Sequence, residues 1–397
     1  MNIVSKELFQ QMVRIRREIH MRPELGYQEE NTAAIITEEL KRLGIKATTG
    51  IGKTGVVGQI NSTNDAGPVV ALRADMDALA IQEETGLEFT SKTDGIMHAC
   101  GHDGHVAMLL GAAFLLKENL KSGSVLLVFQ PAEEGGGGAQ KIMESGLLDN
   151  AKAIFACHLD RHFKAGNLVV QPGPISAFTD RFDITIKGKG GHAAQPHDAI
   201  DAIVVASLIV MSLQTIVSRE VNPLYPSIVS VGRIEGGSVP NAIAETAKLT
   251  GTIRTTETHI REQIMSGITR IVDAAGILHN ADVSADFTMG YPSVINTLEE
   301  SEIARAAVKN IIGDKALVDS QFASMGGEDF SYYLEKIPGC LVRLGAQKDG
   351  LEGIPAHSST FDFDENALGV GAAFLTEAAK LSIEHLANKD VNTSLTN

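Results

Sequence analysis

An α/β fold is what this sequence predicts, with a smaller α+β unit set inside it, and three observations carry the expectation. Over the first ~175 residues helical and strand patterns alternate. Composition then shifts at Gln171-Pro172-Gly173-Pro174. After it, about 110 residues follow a β-α-β-β-α-β order, the pattern of a small sandwich inserted in a larger domain. From Leu298 onward the alternation resumes.

The chain opens on an amphipathic helix, with Ile3, Leu8, Met12, Ile15 and Ile19 on one side and the charges on the other. Asn31 to Leu43 has helical period and stops at Gly44. Gly55 to Ile60 and Val69 to Ala74 read as strands, and Gly104 to Leu120 as a helix. Ser124 to Gln130 (SVLLVFQ) is a buried strand with an acid pair just past its C-terminal end, where open α/β sheets bind ligands. Ala153 to Cys157 ends in the same way at His158.

In the insert, a strand at Phe182 to Lys187 leads through Gly188 to Gly191 into the apolar segment Ala202 to Val217. Strands near Ile228 to Ile234 and Ala247 to Arg254, a helix from His259 to Leu278 and a strand at Ala281 to Met289 complete it. The division is therefore 1–177 with 292–397, and 178–291 as the insert. The tail NKDVNTSLTN reads as disordered.

The 397 residues suffice for two cores, and 44% hydrophobic with 21% charged residues is ordinary globular composition. A formal net charge of −15 argues against nucleic acid or an anionic membrane as partner, while leaving a small anionic substrate open. The N-terminal segment lacks the apolar core and cleavage site of a signal peptide. Cys100, Cys157 and Cys340 do not make a disulfide framework, so a cytoplasmic protein with reduced thiols is expected. AIVVASLIVMSLQTIV is about a turn short of a membrane span and follows Asp198 and Asp201. A helix in a core or a subunit interface is the better reading.

Chemistry concentrates at Met97-His98-Ala99-Cys100-Gly101-His102-Asp103-Gly104-His105. An isolated Cys-x-His reads as a structural cysteine beside surface histidines. Here two further histidines and an acid crowd the same turn, and Glu133-Glu134 follow at a strand end, so metal ligation is expected. In extended backbone i and i+2 share a side, which lets Cys100 and His102 converge. By the same rule Glu133 and Glu134 diverge, one to ligate and one to move a proton. A closed structural zinc site wants four N/S donors, and the chain has no C-x2-C. Residues 47–54 (ATTGIGKT) nearly spell a phosphate loop, but a helix precedes them and a strand follows, the reverse of that motif's context. His158, His192, Asn241, Arg254 and His357 signal little singly.

Taken together, Ala74-Asp75-Met76-Asp77-Ala78-Leu79, MHACGHDGH, QPAEEGGGGA, GKGGHAAQPH (188–197), Gly326-Gly327-Glu328-Asp329-Phe330-Ser331 and HSSTFDFDE (357–365) are similar to a known set. The chain resembles the amidohydrolase branch of the aminoacylase and carboxypeptidase-G-like co-catalytic metallopeptidases, the branch of hippurate hydrolases, N-acetylamino-acid deacetylases and auxin-conjugate hydrolases. The match runs in order from Arg17-Glu18-Ile19-His20 to Glu365. It implies a mixed-sheet α/β/α zinc-peptidase-like catalytic domain carrying an inserted α+β sandwich lid and dimerisation domain.

It also implies two divalent metal ions, Mn2+ or Zn2+, with Co2+ and Ni2+ admissible. Cys100 bridges them, His102 and His158 complete one, and Glu134 and His357 the other. Glu133 takes the place of the general base and Asp77 orients a ligand from behind. His192 polarises the scissile carbonyl, and Asn241, Arg254 and Gly327 contact the substrate. The implied reaction is hydrolysis of an N-acyl amino acid by a metal-activated water, in a homodimer or higher oligomer joined through the insert. Dipeptidases and carboxypeptidases of the same architecture are the alternative. A non-catalytic metal binder is disfavoured, because a binder needs no base beside Glu134. Ala80 and Ala244 replace common prolines, and LDRHFKAG after His158 departs from the usual aromatic-Pro pattern, which bears on acyl preference.

Overall fold

The computed structural model describes residues 3–62, 67–320 and 323–395. The chain divides into two compact units, Met1–Gly173 with Ile295–Gln321 and Asp329–Asn397, and Pro174–Val294 with Phe322–Glu328. The divide falls a few residues outside the one drawn from sequence. The stretch 322–328, which the sequence reading kept in the outer domain, groups with the insert.

In the first unit, α1 (Lys6–His20) starts at Ser5, whose hydroxyl accepts the Leu8 N–H. Its buried face holds Leu8, Met12, Ile15 and Ile19, and also Arg16 and His20. The sequence reading put Arg16 with the charges on the opposite side. Burial is tolerated because each meets a buried carboxylate: Arg16 lies 2.8 Å from both Asp103 and Asp362, and His20 lies 2.8 Å from Asp103.

After α2 (Glu30–Arg42) come β1 (Lys46–Ile51) and β2 (Gly55–Asn61), an antiparallel hairpin. The sequence reading missed β1 because it is mostly exposed and shows no apolar alternation. The near phosphate loop runs along β1 into the turn of this hairpin and opens no helix, so the anion-binding geometry is missing.

β3 (Val69–Asp75), α3 (His102–Asn119), β4 (Ser124–Gln130), α4 (Gly138–Glu144), β5 (Ala151–Lys164) and β6 (Leu168–Val169) follow. In the second unit come β7 (Phe178–Lys187), α5 (Ala202–Thr215), β8 (Ser227–Gly236), β9 (Thr246–Thr255), α6 (Thr258–His279) and β10 (Asp282–Thr288). The chain returns to the first unit with α7 (Leu298–Ile312), β11 (Gly339–Gln347) and α8 (Asn366–Leu395).

Among the described residues the first unit has a seven-stranded sheet in the order β1-β2-β4-β3-β5-β11-β6. β4, β3, β5 and β11 are parallel, and antiparallel strands flank them on both edges. The sheet is thus mixed, and the C-terminal ends of its parallel strands share one edge. α3 is buried almost all round, packed between β3, α1 and α8. Gly111 permits the approach of α1, since a Cβ there would lie 2.3 Å from Met12 Sδ.

Two readings change. β5 does not stop at His158 but continues to Lys164. Its ladder with β3 ends at Ala156, while that with β11 runs on past Leu159, so β5 outruns one neighbour at this point. The tail read as disordered carries α8 on to Leu395, with Thr396 and Asn397 outside the described residues. A helix already anchored by Phe374, Leu375, Ala378 and Ile383 in the core needs no new nucleus to extend.

In the second unit an antiparallel sheet, β8-β9-β7-β10, packs against α5 and α6. Its core includes Phe182, Ile184, Leu249, Ile209, Ile264 and Ile268. Asp201 caps α5 by accepting from the Ile203 and Val204 amides. With the π-helical turn Ile216–Glu220 that follows, this helix is long and apolar enough to cross a membrane by length and composition alone. Ala202, Val205, Ala206, Ile209 and Leu213 instead enter the unit's core, and Ile203, Val204 and Met211 are exposed.

Candidate metal centre

The edge formed by the parallel strand ends gathers the residues singled out from sequence in the first unit. Donor atoms of Cys100, His102 and Glu134 lie within 4.8 Å of one another, as do those of Asp75, His102, His105 and His158. Cys100 Sγ is 3.7 Å from His158 Nε2, and His357 Nε2 is 3.0 Å from Glu134 Oε1. Five proposed ligands from widely separated positions therefore meet at one place.

Local backbone explains how. Cys100 and His102 are not on an extended strand, as the spacing argument assumed. Gly101 adopts φ +90 and turns the chain into the N-terminus of α3, which swings His102 beside Cys100. Glu133 and Glu134 are not extended either. Ala132 has φ 50, a left-handed value rare outside glycine, and both acids lie in the turn after β4. Glu134 joins Cys100 and His102, whereas Glu133 is not in that group. The glycines permit the turn: a Cβ on Gly138 would sit 1.6 Å from Pro131 O. His357 also has a positive φ, 64, and its amide donates to Ala99 O. Such backbone strain is found where geometry is imposed by function.

The hydrogen bonds fix tautomers. His102 Nδ1 donates to Asp77 O at 2.9 Å, with Asp77 Oδ1 at 3.2 Å. That leaves the lone pair on Nε2, which is buried and has no hydrogen-bond partner. Asp77 Oδ2 accepts the Glu134 amide, so one carboxylate steadies two of the proposed ligands. His158 Nδ1 donates to Leu159 O, turning its Nε2 towards Cys100.

Electrostatics points the same way. Burial pushes the Cys100 thiol up, but His102 and His158 beside it prevail and bring it down to about 6. Cys157 and Cys340 lack such neighbours, and burial raises both, Cys340 to about 12. Hydrogen bonding to Cys100 and then Glu134 holds His357 up to about 10. Negative donors that hold His357 towards its protonated form define a place that favours positive charge. A buried Nε2 lone pair, a thiolate-prone cysteine and a carboxylate fit divalent metal ions by donor chemistry.

The other members of the cluster do different work. Asp103 binds Arg16 and His20 on the side of α1. His98 is buried, neutral because burial pushes it down to about 3, and belongs to no three-donor group among the described residues. Sequence reasoning gave no role to Asp75, which receives His105 at 2.6 Å, or to Arg73, which binds both Asp75 and Asp329. A charged Arg inside a parallel strand was the available signal.

In the second unit, His192 and Asn241 come together: His192 pairs with Ala242, and the Ala193 amide donates to Asn241 O. His192 is exposed, and its Nδ1 accepts the Ala194 amide. Arg254 on β9 and Gly327 both neighbour Thr179: Arg254 is its register partner, and a Cβ on Gly327 would lie 2.5 Å from Thr179 Cγ2. Arg254 is half-buried, burial lowers its pKa, and it forms no salt bridge among the described residues.

A mixed α/β sheet whose parallel strand ends hold a thiol, imidazoles and carboxylates, with a second acid next to Glu134, defines a metal-dependent hydrolase. The comparisons with known proteins place it further. The chain belongs to peptidase family M20/M25/M40, which matches residues 71–381. It is 42% identical to N-acetyl-L-cysteine deacetylase of Bacillus subtilis over 94% of this chain and 88% of that protein. It is 41% identical to IAA-amino acid hydrolase ILR1-like 2 of Arabidopsis thaliana over 97% and 87%. Among solved structures, a dinuclear metal-binding peptidase of the M20 family from Bacillus subtilis superposes with a TM-score of 0.85 at 35% identity, covering 96% of this chain and 99% of that one. The chain is a metallohydrolase of this dinuclear metal-binding family.

Proposed function

We propose that this enzyme hydrolyses the amide bond of N-acyl amino acids, using two divalent ions held by Cys100, His102, Glu134, His158 and His357. The observation that carries the reading is the division of labour in the acid pair, with Glu134 grouped with Cys100 and His102 and Glu133 in no group that holds a proposed ligand. When bound, the ions supply Lewis acidity, acidifying water and polarising a carbonyl. Glu133 then takes the proton of the attacking water on its carboxylate and returns it to the departing nitrogen. His192, with Nδ1 occupied as an acceptor, presents Nε2–H as a donor for the developing oxyanion. Arg254 offers a planar fork for the substrate carboxylate, which a lysine would not reproduce. Asn241 and Gly327 are the further substrate contacts in this proposal.

The donor set suits Zn2+ by softness, and its carboxylate and open positions suit Mn2+ as well. A homodimer through the second unit is part of the proposal, supported by the exposed Ile203, Val204 and Met211 on α5 and Ile228 and Ile234 on β8. A cytoplasmic setting agrees with three free cysteines.

The test is a panel of N-acetyl and N-benzoyl amino acids against dipeptides on protein reconstituted with each metal. Turnover of the acylated substrates, weak on dipeptides, is expected. Preference for free amino termini would replace this reading with a dipeptidase. Cys100→Ala should lose metal by elemental analysis; full metal content would remove Cys100 from the ligand set. Met211→Glu should shift the sedimentation coefficient to that of a monomer.

A further inference from the structure

Three histidines, His102, His105 and His158, crowd one edge with Asp75, and any of them has the donor atoms of a ligand. Hydrogen-bond accounting separates them. His105 is fully buried, and both ring nitrogens are spent: Nδ1 meets Asp75 Oδ1 at 2.6 Å, and Nε2 accepts the Leu159 amide at 2.9 Å. The amide can only donate, so Nε2 keeps its lone pair for Leu159, and Nδ1 carries the proton to Asp75. Nothing remains for a cation.

The reason His105 is needed lies in the sheet. The β3–β5 ladder ends at Ala156, and β5 runs on with its β3-facing backbone groups unpaired by any strand. Buried backbone donors and acceptors must find partners. At Leu159 both do so through histidines: the N–H goes to His105, and the C=O receives His158 Nδ1. Leu159 therefore joins the two rings, whose centroids are 4.5 Å apart at 63°. Asp75 is itself held at its other oxygen by Arg73 at 2.6 Å, and Arg73 is tied to Asp329 and Gln130.

We propose that His105, seated on Asp75, is a positioning residue that sets the tautomer and aim of His158 through the Leu159 peptide and does not itself bind metal. The proposal rests on the reading of His158 as a ligand. The chain Arg73–Asp75–His105–Leu159–His158 crosses from the sheet interior to its edge, so the strand ladder's missing partner becomes the ligand's support. Replacing the ring leaves Leu159 N–H without an acceptor and lets the Leu159 carbonyl turn, which releases His158 Nδ1.

The experiment measures two-site affinity for Zn2+ and Mn2+ by chelator competition, with thermal unfolding and hydrogen exchange at the Leu159 amide. The proteins are the wild type, His105→Phe, His105→Gln and His158→Ala. His105→Phe should weaken one site about 10- to 100-fold, leave the other unchanged and speed exchange at Leu159. His105→Gln, which keeps an acceptor, should recover part of both effects and covers the case in which the Phe variant does not fold. Unchanged affinity in both His105 variants would overturn the proposal. So would complete loss of that metal, equal to the loss in His158→Ala, because it would make His105 a ligand. If His158→Ala retained both metals at wild-type affinity, the ligand reading itself would fall, and the proposal with it.

Discussion

Two networks of histidine and carboxylate flank the same short segment, Cys100 to His105, and they differ in what is left over. On the α1 side, Asp103 takes Arg16 and His20, and Glu83 takes His20. There the charges are buried, opposite in sign and directly paired. On the strand-edge side, His102 keeps an unpartnered Nε2, and thiolate-prone Cys100 and Glu134 gather beside His357. Both networks use the same residue types, a few residues apart. The first pairs its opposite charges directly, although Asp103 Oδ1 lacks a hydrogen-bond partner, and the second leaves negative donors and a lone pair facing one point. That difference separates a structural clamp from a metal centre, and residue type alone does not reveal it.

Four measurements can break or sharpen the contrast. The largest effect is expected at Glu133→Gln, which keeps the donors and removes the base. Turnover should fall about 100- to 10,000-fold, with metal content by elemental analysis unchanged. Wild-type turnover would end the assignment of Glu133. On the clamp side, Arg16→Met removes the buried cation that Asp103 and Asp362 share, leaving Asp103 with His20 and Asp362 with Lys348. Denaturant unfolding should show a loss of about 3–5 kcal/mol, while metal stoichiometry in the folded fraction stays at wild-type level. A variant that instead lost metal without losing stability would erase the distinction between the two networks.

Asp77→Ala should weaken metal binding by about 10-fold, because it frees the Glu134 amide and removes the longer of the two contacts at His102 Nδ1, whose bond to the Asp77 backbone carbonyl remains. Titration with a competing chelator reads this directly, and an unshifted curve would remove Asp77 as a support. The smallest effect is a pH dependence of stability at Glu83. Burial opposes its charge, but hydrogen bonds from His20, Thr85 and the Ser91 amide prevail and hold its pKa down, from 4.5 to about 2. A folded pKa below the unfolded one stabilises the protein above pH 4.5 and loses that contribution as pH falls towards about 2. Glu83→Gln should flatten that part of the acid unfolding curve measured by circular dichroism; an unchanged slope would count against it.

Much of this was legible in the sequence for a physical reason. Helix periods in α2, α5 and α6 follow burial of one face, the apolar runs of β3 and β4 follow burial of both, and burial is local arithmetic on residue type. Cys100, His102 and the acid pair were legible because thiol, imidazole and carboxylate in a strand-end context are expensive without a use, whereas His158 and His357 entered only through the resemblance. What failed was anything set by partners far along the chain. Arg16 read as a surface charge because Asp103 and Asp362, which neutralise it, lie far away in sequence. β1 carried no apolar alternation, because its register comes from β2. The spacing rules for Cys100-x-His102 and for Glu133-Glu134 assumed extended backbone, and Gly101 and Ala132 in left-handed conformations made turns instead.

By itself, then, the sequence determined which chemistry is present and the order of the elements that carry it. Tertiary structure decided which atoms are spent and which are left. His105 and His102 lie three residues apart on one helix, yet one gives both nitrogens to Asp75 and Leu159, and the other keeps a lone pair. Hydrogen-bond saturation depends on groups brought near by folding, such as a strand that outruns its neighbour, and no local pattern encodes it.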